Sequence, residues 1–182
     1  MKKQNTALYI LRLAVTLLAI TALVAAALAL VNRVTAPVIA DINNEKTQAA
    51  IEKVLPGGGE KLEGFTPSGI VQAVYASDAG YAVQVAPTGF NGEILMMVGI
   101  DPEGKVMGID IISQAETAGL GAVAAADNGK GEAFRNQFTG QDGVLAVDKD
   151  GGQIDSLTSA TITSRAVVSG VNAALECVKN FG

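Results

Sequence analysis

A run of hydroxyl side chains directly precedes a predicted helix near the end of the chain. Six of the ten residues from Asp155 to Ser164 are serine or threonine, more than the one hydroxyl that helix capping needs. A helix N-terminus offers free N–H groups and the positive end of the helix dipole, and small neighbours let a phosphate approach. The segment therefore fits an anion site, with a Ser/Thr-rich surface loop as the alternative.

A second segment combines glycines with one large apolar residue. It reads Glu116-Thr117-Ala118-Gly119-Leu120-Gly121. Two glycines let the backbone come close to a flat ligand, and Leu120 between them is placed to cover such a ligand. Taken alone, the segment is more typical of an ordinary flexible loop.

Composition excludes several kinds of site. The chain has no histidine and one cysteine, Cys177, so a His/Cys metal site, a histidine-based triad and an intrachain disulfide are all excluded. The net charge of −5, with no basic patch, argues against nucleic-acid binding. We predict no metal site and no side chain acting as a general acid or base.

The first part of the chain predicts a membrane anchor. Residues 13–32 carry no charge, and twenty helical residues span roughly 30 Å, the hydrocarbon thickness of a bilayer. Lys2, Lys3 and Arg12 outweigh Arg33, which predicts a cytoplasmic N-terminal segment over residues 1–12. A cleaved signal peptide ending at Val38-Ile39-Ala40 is the alternative, although its apolar run would be unusually long.

The rest of the chain predicts an acidic α+β domain outside the cytoplasm. Residues 1–40 carry a net charge of +4 and residues 41–182 a net charge of −9. We expect a connecting segment with a helix over 33–56, followed by one domain over 57–182 in which helices flank an antiparallel sheet.

Local patterns predict the elements of that domain. A helix over 41–55 has Asp41 or Asn43 as its cap and is ended by Pro56. A β-branched run, alternation and turn residues predict a hairpin over 70–85, and a nearly continuous apolar run followed by a tight turn predicts a second over 94–112. Together they make an antiparallel meander of four strands. The remaining predicted elements are a helix over 132–138, a strand over 144–147 and a helix over 163–179 with one apolar face.

Three motifs together resemble the family of membrane-anchored FMN-binding domains. That family contains the G subunit of the Rnf electron-transport complex and the C subunit of the sodium-translocating NADH:quinone reductase. Its Ser/Thr-Gly-Ala-Thr-x-Thr-Ser motif stands here as residues 158–164, and its Glu-Thr-Pro-Gly-Leu-Gly motif as residues 116–121. A hairpin motif over 92–106 and the single anchor also match, so the resemblance covers nearly the whole chain.

The resemblance implies FMN joined through its phosphate to the threonine that follows the alanine of the first motif, which is Thr161. Several hydroxyls compete for that role on local chemistry alone, and the resemblance selects among them. It also assigns flavin contacts to other motif residues: Thr158, Ser159, Ala160, Thr163, Ser164, Glu116, Thr117, Gly119 and Leu120. Two residues depart from the family pattern, because Ser159 replaces its glycine and Ala118 its proline.

The resemblance further implies an electron-carrying subunit of a complex that couples ferredoxin:NAD oxidoreduction to Na⁺ or H⁺ translocation. The expected partners are other membrane subunits of that complex and, during maturation, a flavin transferase. The expected location is the bacterial inner membrane, with a single span. Two alternatives stay open: an anchored flavoprotein of another extracytoplasmic redox system, and a flavin-free assembly subunit.

Overall fold

The computed structural model describes residues 3–179. Lys2 and residues 180–182, which the sequence assigns to the cytoplasmic segment and to the end of the outer domain, lie outside the described residues. The chain divides into two compact units, Met1–Asn44 and Glu45–Gly182.

Helix α1 extends over Lys3–Val54. Its residues up to Asn44 form the described part of the first unit, and its last ten residues belong to the second unit. In the described chain it is the one helix long and apolar enough to cross a membrane. The Thr16 and Thr21 hydroxyls donate to the carbonyls of Arg12 and Leu17, which satisfies these polar groups on an apolar helix.

The predicted start of a separate helix at Asp41 or Asn43 is wrong. Pro37 lies inside α1, and neither Asp41 nor Asn43 starts a new helix. A proline inside a helix removes one backbone hydrogen bond and destabilises the helix by about 3 kcal/mol. A single proline can therefore bend a helix without ending it. No glycine adds a second break between Leu13 and Val54.

The second unit is built on a five-stranded antiparallel sheet with its strands in sequence order. The strands are β1 Glu60–Lys61, β2 Val71–Ser77, β3 Gly80–Val85, β4 Leu95–Ile100 and β5 Val106–Ser113. The predicted meander of four strands is confirmed as β2 to β5, and Gly104 N–H closes the predicted turn onto Asp101 O at 3.0 Å. Strand β1 was not predicted, because two exposed charged residues carry no strand pattern.

Alternation along the strands divides the core between the two faces of the sheet. Val83, Val98 and their neighbours pack with the apolar stripe of the C-terminal helix on one face. On the other face, Ala82 and Met97 pack with Ile51 and other residues from the end of α1. The sheet is therefore covered on both sides, as the α+β prediction requires.

Three short elements and one long helix follow the sheet. They are a 3-10 helix at Gly121–Ala125, helix α2 at Gly129–Asn136, a 3-10 turn at Asp148–Asp150 and helix α3 at Thr161–Lys179. The predicted apolar face of α3 is confirmed, because Val167, Val171, Leu175 and Val178 are all buried.

The predicted strand over 144–147 is wrong. Leu145 and Val147 are buried while Val144 is exposed, so the alternation is real. The backbone N–H and C=O of Leu145 nevertheless bond to the side chain of Asn172, at 2.8 and 2.9 Å. Asn172 on α3 thus satisfies the backbone groups of Leu145, and the β pairing of this segment is limited to an isolated bridge between Val147 and Ile154.

Candidate functional site

Helix α3 begins at Thr161, two residues earlier than the sequence predicts. The first intrahelical bond of this end runs from Ser164 N–H to Ala160 O at 3.0 Å. The N–H groups at the start of a helix have no partner within the helix and carry its positive dipole end. Thr161 therefore presents its hydroxyl at a helix start, where a phosphate is favoured.

The six Ser and Thr hydroxyls of residues 155–164 differ in burial and in hydrogen bonding. Thr163 and Ser164 are buried, and they donate to Glu116 Oε2 and to Ala160 O. Ser156 is tied to Asp148 through its backbone N–H at 3.0 Å and through its side chain. The resemblance assigns flavin contacts to Thr163 and Ser164, but the hydroxyl protons of both are already donated within the protein. Thr158, Ser159 and Thr161 remain accessible.

Ser159 has a backbone φ of +61° and is the one non-glycine residue in the described chain with positive φ. A side chain in this left-handed region costs roughly 1–2 kcal/mol. The family's glycine at this position adopts a positive φ without that cost. The departure from the family pattern at Ser159 is therefore destabilising.

Replacing Ser159 by glycine is expected to stabilise the protein. Relief of about 1–2 kcal/mol of strain outweighs about 0.5–1 kcal/mol of added chain entropy, which leaves a gain of about 0.5–1 kcal/mol. Chemical unfolding of the detergent-solubilised chain, followed by circular dichroism, measures this. The control is Ser169→Gly in the exposed middle of α3, where the same change should destabilise. A Ser159→Gly protein no more stable than wild type would contradict the strain argument.

Glu116 connects the glycine-rich segment to two other parts of the fold. Its side chain is 8% exposed. Its Oε1 accepts the backbone N–H of Asn91 at 2.9 Å, and its Oε2 accepts the hydroxyl of Thr163. Asn91 Nδ2 also donates to Thr117 Oγ1 at 3.2 Å. The carboxylate therefore holds together the loop after β3, the segment 116–121 and the start of α3.

Two glycines leave room for this carboxylate. A Cβ at Gly89 would lie 2.6 Å from Glu116 Oε1, and a Cβ at Gly121 would lie 2.7 Å from Glu116 Oε2. Both distances are shorter than a van der Waals contact, so any side chain would displace Glu116. The second glycine of the predicted motif thus serves this close approach to Glu116.

The two motifs meet in one cleft of about 360 Å³, here called the Thr161 cleft. Its lining consists of Phe90, Glu116, Thr117, Leu120, Gly121 and residues 159–163. Of the residues predicted as flavin contacts, Thr158 and Gly119 instead line a neighbouring cleft of about 460 Å³, and Leu120 borders both. Ser164 lines neither of these two clefts, because its side chain points back to Ala160.

Two carboxylates fix the segment that leads into α3. The hydroxyl and the N–H of Ser156 donate to Asp148 and lower the pKa of its carboxyl to about 2. Arg165 donates from Nε and Nη2 to the two oxygens of Asp150, at 2.8 and 2.6 Å, and this pairing lowers the pKa of Asp150. The backbone around Thr161 is thus held on both sides.

Sequence reasoning missed Phe90, Asn91 and Arg135. Arg135 is buried and donates to the carbonyls of Ala124 and Ala126, which fixes the 3-10 helix directly after Leu120. An arginine in a short amphipathic helix gives no signal of such a role. Phe90 and Asn91 stand between two glycines, and an aromatic residue in a turn sequence could have been noticed.

The fold and the cleft define a class of domain that comparisons identify. The family model described as the FMN-binding domain matches residues 89–176, which include both motifs. The crystal structure of the C subunit of the Na⁺-translocating NADH-quinone reductase from Parabacteroides distasonis has the same fold, with a TM-score of 0.55 and 21% identity, over 78% of this chain and 92% of that one.

Curated relatives narrow the class to one kind of protein. The G subunit of the Na⁺-translocating ferredoxin:NAD⁺ oxidoreductase complex of Acetobacterium woodii is 34% identical, over 94% of this chain and 93% of the relative. The G subunit of the ion-translocating oxidoreductase complex of Stutzerimonas stutzeri is also 34% identical, over 86% and 75%. The chain belongs to this family of G subunits, and the predicted resemblance is confirmed.

Proposed function

We propose that this chain is the electron-carrying flavoprotein subunit of a membrane complex that couples ferredoxin:NAD oxidoreduction to Na⁺ or H⁺ translocation. We further propose that FMN is attached covalently to Thr161 by a phosphoester bond. The main support for the proposal is that residues of both motifs line the Thr161 cleft. The family membership supports the coarser part, a redox subunit of such a complex.

The residues present fit FMN. Phosphate is favoured at the start of α3, where Thr161 is partly exposed and its neighbours Ser159 and Ala160 are small. The apolar side chains of Phe90, Leu120 and Ile162 offer surface for a flat ring. Thr158 lies beside the neighbouring cleft, so we expect at most an indirect role for it.

Attachment would form a P–O bond at Thr161 Oγ1 and release the proton of its hydroxyl. The phosphorus would come from a flavin whose phosphate is joined to a second phosphate group in an anhydride; that anhydride bond would break, and the second phosphate group would leave with its electron pair. The net gain in mass is that of FMN less one water. We propose that a flavin transferase catalyses this step. Glu116 is the one carboxylate that lines the cleft, and it already accepts hydrogen bonds from Asn91 and Thr163.

Bound FMN would supply one- and two-electron transfer, and the protein supplies position and environment. In this proposal Glu116 holds the walls of the cleft together, Gly121 permits their close packing, and Leu120 excludes water from one side. Because electrons are relayed and no metabolite is converted, the cleft needs no acid or base catalyst.

Mass spectrometry and gel fluorescence test the proposal. The full chain, co-expressed with a flavin transferase and exported, should show a fluorescent band on a denaturing gel and the added mass of FMN less water. The same chain expressed without the transferase should show neither. A chain without flavin under both conditions would favour the flavin-free assembly subunit.

We also propose that α1 is a retained anchor, with its N-terminus in the cytoplasm and the second unit outside. The basic residues on its N-terminal side support this orientation. Alkaline phosphatase fused after Gly182 should therefore be active, and the control fusion after Arg12 should be inactive. The reverse pattern in stably expressed fusions would contradict the orientation, and a mature N-terminus at Asp41 would contradict the retained anchor.

A further inference from the structure

Exposed apolar side chains of the second unit gather around one cleft. Among its described residues, four large apolar side chains are exposed: Phe90 at 64%, Leu120 at 40%, Val144 at 88% and Ile162 at 50%. Three of these four, all except Val144, line the Thr161 cleft. A single exposed apolar residue needs no explanation, but a cluster around a cleft marks a binding surface.

The loop that carries Phe90 is held firmly although the ring is exposed. Gly89 N–H donates to Gly92 O at 2.7 Å, and Thr88 forms a β-bridge with Glu93. Next to Phe90, Asn91 bonds to Glu116 through its N–H and to Thr117 through its side chain. A fixed backbone holds the aromatic ring beside the cleft before a ligand binds, so binding loses little loop entropy.

Over residues 3–179, no aromatic ring contact is found that involves Phe90. The rings of Phe134 and Phe138, by contrast, pack edge-on against each other within the core. The exposed ring of Phe90 is an apolar surface that a ligand could cover. Aromatic rings prefer stacked or edge-on contacts with other rings.

We propose that Phe90 is a flavin-contact residue that forms one wall of the site for the isoalloxazine ring, with Leu120 as a second apolar wall. This inference rests on the proposed function, because the flavin is held at Thr161. It extends that function by assigning the ring contact to a residue outside both the hydroxyl and the glycine motifs. Stacking on Phe90 would shield the ring from solutes and change its excited state.

The test uses the full flavinylated chain in detergent and measures flavin fluorescence and its quenching by iodide. Phe90→Ala should keep the covalent flavin mass, while the fluorescence yield and the iodide quenching constant each change by about two-fold or more, because the ring loses a stacked neighbour. Phe90→Tyr keeps the aromatic face and should be shielded from iodide like wild type. Leu120→Ala should also increase iodide access.

Val144→Ala is the matched control, since it removes an exposed apolar side chain away from the cleft and should change neither signal. If Phe90→Ala fails to fold, Phe90→Leu supplies the test, because it keeps apolar bulk and loses the aromatic face; its iodide access should exceed that of wild type. Unchanged fluorescence and quenching in a flavinylated Phe90→Ala or Phe90→Leu protein would overturn the ring contact alone. Absence of flavin from the wild-type chain would overturn the proposed function as well.

Discussion

Thr161→Ala is expected to fold, to reach the membrane and to carry no covalent flavin. The substitution removes the oxygen that forms the phosphoester and leaves the rest of the cleft in place. Alanine is a good helix former, so α3 should still begin near this residue. Intact-mass measurement should show complete loss of the FMN increment, and the fluorescent band should disappear from a denaturing gel.

Three variants serve as controls for this result. Thr161→Ser keeps a hydroxyl at the same place and should retain at least part of the flavin. Thr158→Ala and Ser159→Ala remove the other two accessible hydroxyls and should largely keep it. Peptide mapping that placed the flavin on another hydroxyl, or full flavinylation of Thr161→Ala, would reject the assignment to Thr161.

Glu116→Ala is expected to give the second largest effect, a loss of both stability and flavin. It leaves the Asn91 N–H and the Thr163 hydroxyl without their acceptor in a largely buried place. Stranding two buried donors of this kind should lower the free energy of unfolding by roughly 2–4 kcal/mol. The loop carrying Phe90 and the start of α3 would then separate, and flavin incorporation should fall.

Glu116→Gln is the matched control. Its amide oxygen can still accept from Asn91, and its amide nitrogen can donate to a rotated Thr163 hydroxyl. The loss should therefore be about 1 kcal/mol, with most of the flavin retained. Chemical unfolding and intact mass, measured on the same preparations, check both variants. A Glu116→Ala protein with wild-type stability and full flavin content would show that the carboxylate does not hold the cleft together.

Sequence patterns predicted the sheet well because its signals are local. Strands β2 to β5 are short runs rich in apolar residues, joined by short turns with characteristic residues, such as Asp101 to Gly104. The apolar stripe of α3 has a helical period and was equally readable. The prediction of a strand over 144–147 failed because the backbone of Leu145 bonds to the side chain of Asn172 on α3. The local sequence pattern does not reveal such a contact with a distant residue.

The candidate site was predicted in part, for a similar reason. The motifs identified Thr161 and Leu120, and the structure brings both into one cleft. Local sequence could not reveal that Thr163 donates to Glu116, a contact between residues 47 positions apart, or that Phe90 and Asn91 join the same cleft. These contacts depend on how the loop after β3 and the start of α3 approach each other in the folded chain.

The position of Thr161 at the first turn of α3 has a consequence for electron transfer. Four apolar residues further along this helix are buried against the sheet, so its start is attached to the packed core of the second unit. Tunnelling rates fall steeply with the distance between donor and acceptor. A cofactor tied to this point would keep its distances to neighbouring carriers within a narrow range, and any large change in those distances would have to come from movement of the whole unit.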